Sequence, residues 1–157
     1  EVDIVLALNK FLDGDLDECR REIREIKNVI GNAHLKVILE TGLLESEENI
    51  RTASFLAMES GADFIKTSTG KIEPSATPFA AVVMCQCIKE FYEKTGKKIG
   101  FKPAGGISTA RDAAVYYAIT ETILGKEWLN RDLLRFGASR VTNSILSEIE
   151  KSTVSYY

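Results

Sequence analysis

The stretch Lys98-Ile-Gly-Phe-Lys-Pro-Ala-Gly-Gly-Ile-Ser-Thr109 combines a short apolar strand with a glycine turn and the beginning of a helix. The same order of strand, turn and helix recurs along the chain. Each strand is followed by a segment with helical signals, and no hairpin turn joins two strands. The alternation predicts parallel strands joined by right-handed crossovers. The five predicted strands are Val2–Leu8, Leu35–Glu40, Asp63–Thr67, Lys98–Pro103 and Arg135–Ser139.

Capping residues set the expected ends of the helices. Serine or threonine before a helix, proline at its first position and glycine after its end are typical boundary signals. These signals predict helices over about Asp17 to Ile30, from Ser46 to Gly61, from Thr77-Pro78 to Gly96, from Ser108 or Thr109 toward Gly125, and from about Arg140 to Lys151. A further short helix is predicted around Trp128 to Leu134.

Two α/β architectures accept this alternation, a doubly wound open sheet and a (β/α)8 barrel. Five units complete an open sheet, whereas a barrel needs eight units and about 250 residues. The polar residues that converge at the strand ends favour a barrel. The G-x-G-x-x-G turn of a Rossmann fold is absent. The unit count and the strand ends therefore favour different architectures.

Composition limits the classes of function. The chain has 157 residues, of which 45% are hydrophobic and 27% charged, and this predicts a single globular domain. A net charge of −3 gives no basic surface for nucleic acid or an anionic membrane. No apolar run approaches the roughly 18 residues of a spanning helix. Because the sequence starts at Glu1 inside a strand, without an initiator methionine, it is expected to belong to a longer chain.

Cysteine and histidine offer little to a metal site. Cys19, Cys85 and Cys87 lack the spacing of zinc ligands or of a disulfide framework, so buried reduced thiols are expected. Reduced cysteines indicate a cytoplasmic compartment. His34, the only histidine, lies in a polar turn and is interpreted as a surface residue.

Two lysines and an acid are expected to share the interior of the sheet. Strand periodicity puts Lys66 on the face opposite Ile65, and Lys102 on the face of Gly100, while Asp3 stands between two outward apolar residues. Two ammonium groups in a site of low dielectric favour the loss of one proton, and a neutral amine attacks carbonyl carbon. The alternative is that both are ordinary strand-end lysines whose heads reach solvent.

Glycine turns follow the last two strands. Gly105 and Gly106 precede Ser108 at the beginning of a helix, so free backbone N–H groups are expected there, as suits a phosphate. Gly137-Ala-Ser139 offers a second such turn. In barrels the common phosphate position follows strands seven and eight. The alternative is that these glycines only turn the chain.

Five segments together resemble the deoxyribose-phosphate aldolases. They are Glu1-Val-Asp-Ile-Val5, Leu35-Lys-Val-Ile-Leu-Glu-Thr-Gly42, Ala62-Asp-Phe-Ile-Lys-Thr-Ser-Thr-Gly-Lys71, Gly100-Phe-Lys-Pro-Ala-Gly-Gly106 and Arg135-Phe-Gly-Ala-Ser139. They occur in the order of that family, at similar spacing, over nearly the whole chain. The resemblance implies a (β/α)8 TIM barrel of which this chain carries about the last five units.

The resemblance also implies an activity, the reversible cleavage of 2-deoxy-D-ribose 5-phosphate to acetaldehyde and D-glyceraldehyde 3-phosphate in deoxyribonucleotide catabolism. Lys66 matches the lysine that forms the Schiff base, Lys102 the lysine that perturbs it, and Asp3 the acid that moves protons with Lys102 and water. The matching phosphate-binding residues are Lys71, Gly105, Gly106 and Ser139. The family needs no cofactor and no metal, and the expected partners are the sugar phosphate and a second copy of the chain as a homodimer.

The chain departs from the family pattern in two places. Residues 1–157 are interpreted as one barrel domain that lacks the first three units, so this chain alone is expected to be unstable or inactive. Arg140 stands where many members have a second serine, and Tyr156 or Tyr157 could match a tyrosine used in proton transfer. Two other functions remain open: another class I aldolase or transaldolase, and a non-catalytic chain that binds sugar phosphate or pairs with a full-length subunit.

Overall fold

A computed structural model describes residues 1–156 and contains a parallel sheet of four strands. The strands are β1 (Val2–Val5), β2 (Leu35–Ile38), β3 (Phe64–Lys66) and β4 (Gly100–Lys102). Their spatial order is the order of the sequence, β1-β2-β3-β4. A doubly wound sheet reverses its strand order at a switch point, whereas a barrel adds each strand beside the previous one. The fold is therefore an α/β sheet in barrel order, and the open-sheet alternative is wrong.

The fifth predicted strand, Arg135–Ser139, does not form a regular ladder. Two isolated parallel bridges, Phe101 to Leu134 and Ala104 to Gly137, place this segment beside β4. The Gly137 N–H donates to Pro103 O at 2.8 Å, and the Arg135 N–H donates to Phe101 O at 3.1 Å. The segment thus occupies the place of the next strand, but within residues 1–156 it pairs on one side only.

Seven α-helices accompany the strands in the described part of the chain. They are α1 (Leu8–Leu12), α2 (Leu16–Ile30), α3 (Thr41–Leu44), α4 (Glu47–Glu59), α5 (Pro78–Thr95), α6 (Ala110–Leu124) and α7 (Val141–Glu150). Ser46, Thr77 and Thr109 cap α4, α5 and α6 with their side chains, as predicted. Gly96 ends α5 in the left-handed conformation, also as predicted.

The short elements differ from the prediction. The prediction extends the first strand to Leu8, but Leu8 begins α1, and α3 was not predicted. The helix expected around Trp128 to Leu134 is a single 3-10 turn, Lys126–Trp128, followed by non-helical turns. Asn130 explains this end because its side chain donates to Glu127 O and accepts from the Asp132 N–H, in competition with helical hydrogen bonds.

One hydrophobic core lies between the sheet and the helices. It includes residues of β2, β3 and β4 that point away from the lysine face, among them Val37, Ile65 and Phe101. Cys19, Cys85 and Cys87 are buried free thiols, which confirms the expectation. Within residues 1–156, no helix combines the length and the apolar character that crossing a membrane requires.

Candidate active site

Strand register brings the predicted acid and lysines to one face of the sheet. Asp3 on β1 stands opposite Lys36 on β2, and Lys66 on β3 stands opposite Lys102 on β4. Paired residues of parallel strands point to the same side, so all four side chains share the inner face. The prediction that Lys66 faces opposite to Ile65 agrees with this register, and Phe64 lies on the same face as Lys66.

A single carboxylate joins the lysines. Asp3 Oδ2 accepts from Lys66 Nζ at 3.3 Å and from Lys102 Nζ at 3.1 Å, and Asp3 Oδ1 accepts from Lys36 Nζ at 3.1 Å. The Lys66 side chain is 13% exposed and the Lys102 side chain 19%. Both lysine side chains are thus partly buried, and their ammonium groups are bound by one carboxylate.

Asp3 is ionised over the whole physiological range. Burial raises the pKa of its carboxyl, but the hydrogen bonds from Lys102 and Lys36 outweigh that effect and lower the pKa from 3.8 to about 2. An ionised carboxylate accepts hydrogen bonds and cannot donate one. Asp3 can therefore orient the two amines and accept a proton through them or through water.

Three charged residues of the site were missed by the sequence prediction: Lys36, Glu1 and Arg135. The Lys36 side chain is only 4% exposed, and its Nζ also donates to Glu1 Oε2 at 2.6 Å. Arg135 holds both oxygens of Glu1, at 2.8 and 3.1 Å. The hydrogen bond from Lys36 lowers the pKa of Glu1 to about 2, with burial opposing it and Arg135 supporting it. His34 is exposed, as predicted, with Nδ1 3.7 Å from Glu1 Oε1.

The period of two that selected Lys66 and Lys102 also selects Lys36. In Leu35-Lys-Val-Ile38, Leu35 and Val37 are core residues and Lys36 lies on the other face. The prediction did not include Lys36, because active sites of barrels lie at the carboxyl ends of the strands and Lys36 lies near the beginning of β2. Glu1 and Arg135 carry no local pattern, because the contact between them joins residues 134 positions apart in the sequence.

The ring of Phe64 closes the space next to Lys102. Gly100 pairs with Phe64 across β3 and β4, and a Cβ on Gly100 would collide with the Phe64 ring. The Lys36 ammonium lies 5.8 Å and the Arg135 guanidinium carbon 5.7 Å from the centre of that ring. The space beside Gly100 is therefore filled by an aromatic side chain that lies close to two cations.

The predicted phosphate residues lie on three loops at the ends of β3, of β4 and of the segment beside it. A Cβ on Gly70 would lie 3.6 Å from Gly105 Cα, so the loop that carries Lys71 rests on the double glycine. The Gly105 N–H donates to Gly137 O at 3.2 Å, two residues before Ser139. Lys71, Gly106 and Ser139 are exposed. The structure thus brings the three loops together and leaves these groups open to solvent.

The expectation of free N–H groups at the beginning of α6 is wrong for most of them. Asp112 Oδ2 accepts from the Ser108 N–H at 3.1 Å and from the Thr109 N–H at 2.9 Å. These contacts belong to the capping box of α6, in which the Asp112 carboxylate accepts from the Thr109 N–H and the Thr109 hydroxyl accepts from the Asp112 N–H. Since Gly105 is also engaged, the N–H groups of Gly106 and Ile107 are the remaining candidate donors of residues 105–109.

The remaining predicted positions are peripheral. Arg140 is exposed and directly precedes α7 without capping it through its side chain. Tyr156 is 67% exposed, and its backbone N–H donates to Asn143 Oδ1 at 3.3 Å. Tyr157 lies outside the described residues. No cluster of three or more histidine, cysteine, aspartate or glutamate side chains with metal-binding geometry occurs in residues 1–156.

A parallel sheet in barrel order, with amines and a carboxylate gathered on its inner face, defines an aldolase-type α/β protein. Sequence comparison then fixes the family. Residues 1–127 match the model of the DeoC/LacD family aldolases. The chain belongs to this family.

Comparison with individual proteins agrees with the match to the family model. A putative deoxyribose-phosphate aldolase of Caenorhabditis elegans is 48% identical over 146 residues, which are 93% of this chain and 48% of that protein. Deoxyribose-phosphate aldolase of Homo sapiens is 46% identical over 151 residues, 96% of this chain and 46% of that protein. A crystal structure of a putative deoxyribose-phosphate aldolase from Toxoplasma gondii superposes with a TM-score of 0.76 at 25% identity, covering 95% of this chain and 58% of that one.

These likenesses confirm the expected family and barrel fold. The chain spans about half the length of the curated relatives it matches. The sheet described above is accordingly part of a barrel.

Proposed function

We propose that this protein is a deoxyribose-phosphate aldolase, which reversibly cleaves 2-deoxy-D-ribose 5-phosphate to acetaldehyde and D-glyceraldehyde 3-phosphate. The observation that carries the proposal is the pair of lysine amines, Lys66 and Lys102, bound to one oxygen of Asp3. The family and the names of its relatives support the reaction type and the substrate.

In the proposed reaction Lys66 is the nucleophile. Its neutral amine adds to the aldehyde carbon C1 of the open-chain sugar, and loss of water leaves a protonated imine. Removal of the proton from the hydroxyl on C3 lets the C2–C3 bond break, and its electron pair moves into the imine to give an enamine. D-Glyceraldehyde 3-phosphate leaves. Protonation of the enamine on C2 and hydrolysis of the imine then release acetaldehyde and restore Lys66.

Asp3 and Lys102 are proposed to move the protons of these steps. Lys102 reaches the same carboxylate oxygen as Lys66, so a proton passes between the two amines, Asp3 and a water without a large movement. With Lys66 neutral as the nucleophile, three other basic side chains, Lys36, Lys102 and Arg135, still surround only two carboxylates, Glu1 and Asp3. This excess of positive charge also favours a dianionic substrate.

The phosphate of the substrate is proposed to bind at Lys71, Gly106 and Ser139, while Gly105, whose N–H donates to Gly137 O, shapes the turn beside them. The contact of the Gly70 loop with Gly105 and the hydrogen bond from Gly105 to Gly137 support a common site. The protonated imine serves as the electron sink of the reaction, so the proposed mechanism uses no cofactor and no metal.

A turnover assay tests the proposal. The purified chain is given 2-deoxyribose 5-phosphate, and acetaldehyde is measured with a coupled alcohol dehydrogenase. We expect no turnover by residues 1–157 alone, because they lack three units of the family pattern. In a barrel completed by those units, we expect turnover by the natural sequence, none by Lys66→Ala, and unchanged turnover by Lys89→Ala, which removes an exposed lysine on α5. Full activity in Lys66→Ala would contradict the assignment.

The same assay separates the alternatives. Synthesis with acetaldehyde as the donor supports the proposal, whereas a preference for dihydroxyacetone phosphate would indicate another class I aldolase. Phosphate binding without any turnover by the completed barrel would indicate a non-catalytic chain.

We also propose a cytoplasmic location and a role in deoxyribonucleotide catabolism. Three buried free thiols support a reducing compartment. The homodimer stays a prediction, which sedimentation velocity of the purified chain tests directly.

A further inference from the structure

Glu40 is a buried carboxylate that the proposed reaction does not use. It follows β2, it is 2% exposed, and its backbone is left-handed with φ of 53° and ψ of 56°. Side chains with a Cβ rarely adopt this conformation, and glycine adopts it without cost. A glutamate that is both buried and left-handed indicates that its carboxylate has a task at this position.

The carboxylate of Glu40 binds one residue of the Lys71 loop. Its two oxygens accept from the Thr69 N–H at 3.2 and 3.3 Å, and Oε2 accepts from the Thr69 hydroxyl at 2.6 Å. The same hydroxyl oxygen accepts from the Lys71 N–H at 3.1 Å. A continuous path of hydrogen bonds therefore joins Glu40 to the backbone of Lys71.

Close backbone contacts hold the rest of the loop that carries Lys71 in place. Gly42, two residues after Glu40, lies against Pro74 so closely that a Cβ would collide with the Pro74 carbonyl. At the other side, a Cβ on Gly105 would lie 2.6 Å from Ser75 Oγ. Residues 69–75 are thus held between the end of β2 and the double-glycine turn after β4.

We propose that Glu40 is a positioning residue for the phosphate of the substrate. Through Thr69 it fixes the turn that carries Lys71 against Gly105, and this sets the distance between the lysine and the glycine turn. Glu40 does not touch the substrate itself, because its oxygens are buried and engaged by Thr69. The inference rests on the proposed function, since it assumes that the anion bound here is the substrate phosphate.

The test compares variants that cut the path at different points. Glu40→Gln replaces one accepting oxygen by an amide donor, and Thr69→Val removes the hydroxyl at constant shape. Thr69→Ser keeps the hydroxyl and is the rescue. Glu45→Gln is the matched control, because Glu45 is exposed, has a φ of 58° and lies at the other end of α3.

The first readout is the affinity for inorganic phosphate, measured by titration with NMR detection. It does not depend on catalysis. We expect Glu40→Gln and Thr69→Val to weaken phosphate binding about tenfold, the effect of losing a hydrogen bond to a charged group. Thr69→Ser and Glu45→Gln should bind like the natural sequence. Circular dichroism confirms that each variant is folded.

The second readout is the KM of the completed barrel for sugars with and without the phosphate. We expect Glu40→Gln to raise the KM for 2-deoxyribose 5-phosphate about tenfold, with a nearly unchanged kcat, and to leave kcat/KM for 2-deoxyribose unchanged. Equal losses on both sugars would overturn the inference, as would unchanged phosphate affinity in Glu40→Gln and Thr69→Val.

The failure of the proposed function gives a different pattern. A completed barrel of natural sequence that binds phosphate but does not cleave the sugar contradicts the proposed function, while the phosphate titrations still decide the role of Glu40. A natural sequence that does not bind phosphate at all would overturn the inference.

Discussion

Among single residues, Asp3 has the largest influence on the charge of the site. Three lysines donate to its two oxygens, and one of them, Lys36, also holds Glu1. The pKa values of Asp3 and Glu1 both lie near 2, against usual values of 3.8 and 4.5. Lys36 thus couples the carboxylate of the candidate site to a second carboxylate farther along the inner face.

These depressed pKa values predict acid sensitivity. A carboxyl with a lower pKa in the folded state stabilises the fold above its unfolded-state pKa, and this stabilisation is lost as pH falls through the folded-state pKa. We therefore expect the free energy of unfolding to be constant near neutral pH and to fall between about pH 5 and pH 2. Urea unfolding at a series of pH values measures it.

Lys36→Met tests the cause of that dependence. Removing the ammonium group should lower the free energy of unfolding at pH 7 by about 2 kcal/mol and reduce its slope in acid, because Asp3 and Glu1 lose a shared donor. Lys89→Met, on the exposed face of α5, should leave both unchanged. An acid slope that is the same in Lys36→Met and the natural sequence would contradict the account.

At the scale of elements, the pairing of β3 with β4 sets the shape of the inner face. The register puts the Phe64 ring where a Cβ on Gly100 would lie. A side chain at that position must displace the ring or shift β4, and β4 carries Lys102. The glycine is thus a packing requirement of the site.

Gly100→Ala should therefore be destabilising. We expect a loss of about 2 kcal/mol in the free energy of unfolding, the usual cost of overpacking a core. Phe64→Leu made together with Gly100→Ala should recover part of the loss, since the smaller side chain leaves room for the added methyl group. Denaturant unfolding of the two single variants and the double variant measures the coupling, and strictly additive losses would contradict it.

The elements with strong local signals were predictable from sequence. The starts of α4, α5 and α6 followed from Ser46, Thr77-Pro78 and Thr109, because a capping hydrogen bond depends on residues a few positions apart. The 3-10 turn before Asn130 was not predictable in this way. It depends on side-chain hydrogen bonds that compete with a helix of suitable composition.

In the candidate site, too, the features with a local sequence signal were predictable and the long-range contacts were not. Period two placed Asp3, Lys66 and Lys102 on one face, since each strand determines its own alternation. The contacts between Arg135 and Glu1, and between Glu40 and Thr69, cross long stretches of sequence and have no local signal. The amides of Ser108 and Thr109 are not free as expected, because Asp112, three residues after the N-cap Thr109, accepts from both in a capping box.

At the scale of the whole molecule, a single core connects the first strand with the last helix. It extends from Leu6 to Val141 without division. Trp128, the only tryptophan, is buried, and its Nε1 donates to Ile99 O at 2.9 Å, next to β4. Its fluorescence therefore reports on the packing beneath the candidate site.

A single core should unfold in one step. We expect Trp128 fluorescence and far-ultraviolet circular dichroism to give coincident urea transitions, because the helices cannot leave the core separately from the sheet. Two separate midpoints would show that the part around Trp128 is an independent unit, and the description of one core would then be wrong.

The most direct test of the whole account is a covalent one. The purified chain is incubated with 2-deoxyribose 5-phosphate and sodium borohydride, which reduces an imine to a stable amine, and the modified peptide is located by mass spectrometry. In a barrel completed by the three units that the family pattern adds, we expect an adduct on Lys66 that is lost in Lys66→Ala and retained in Lys89→Ala. An adduct on another lysine, or a folded complete barrel that forms none, would contradict the assignment of Lys66 as the nucleophile.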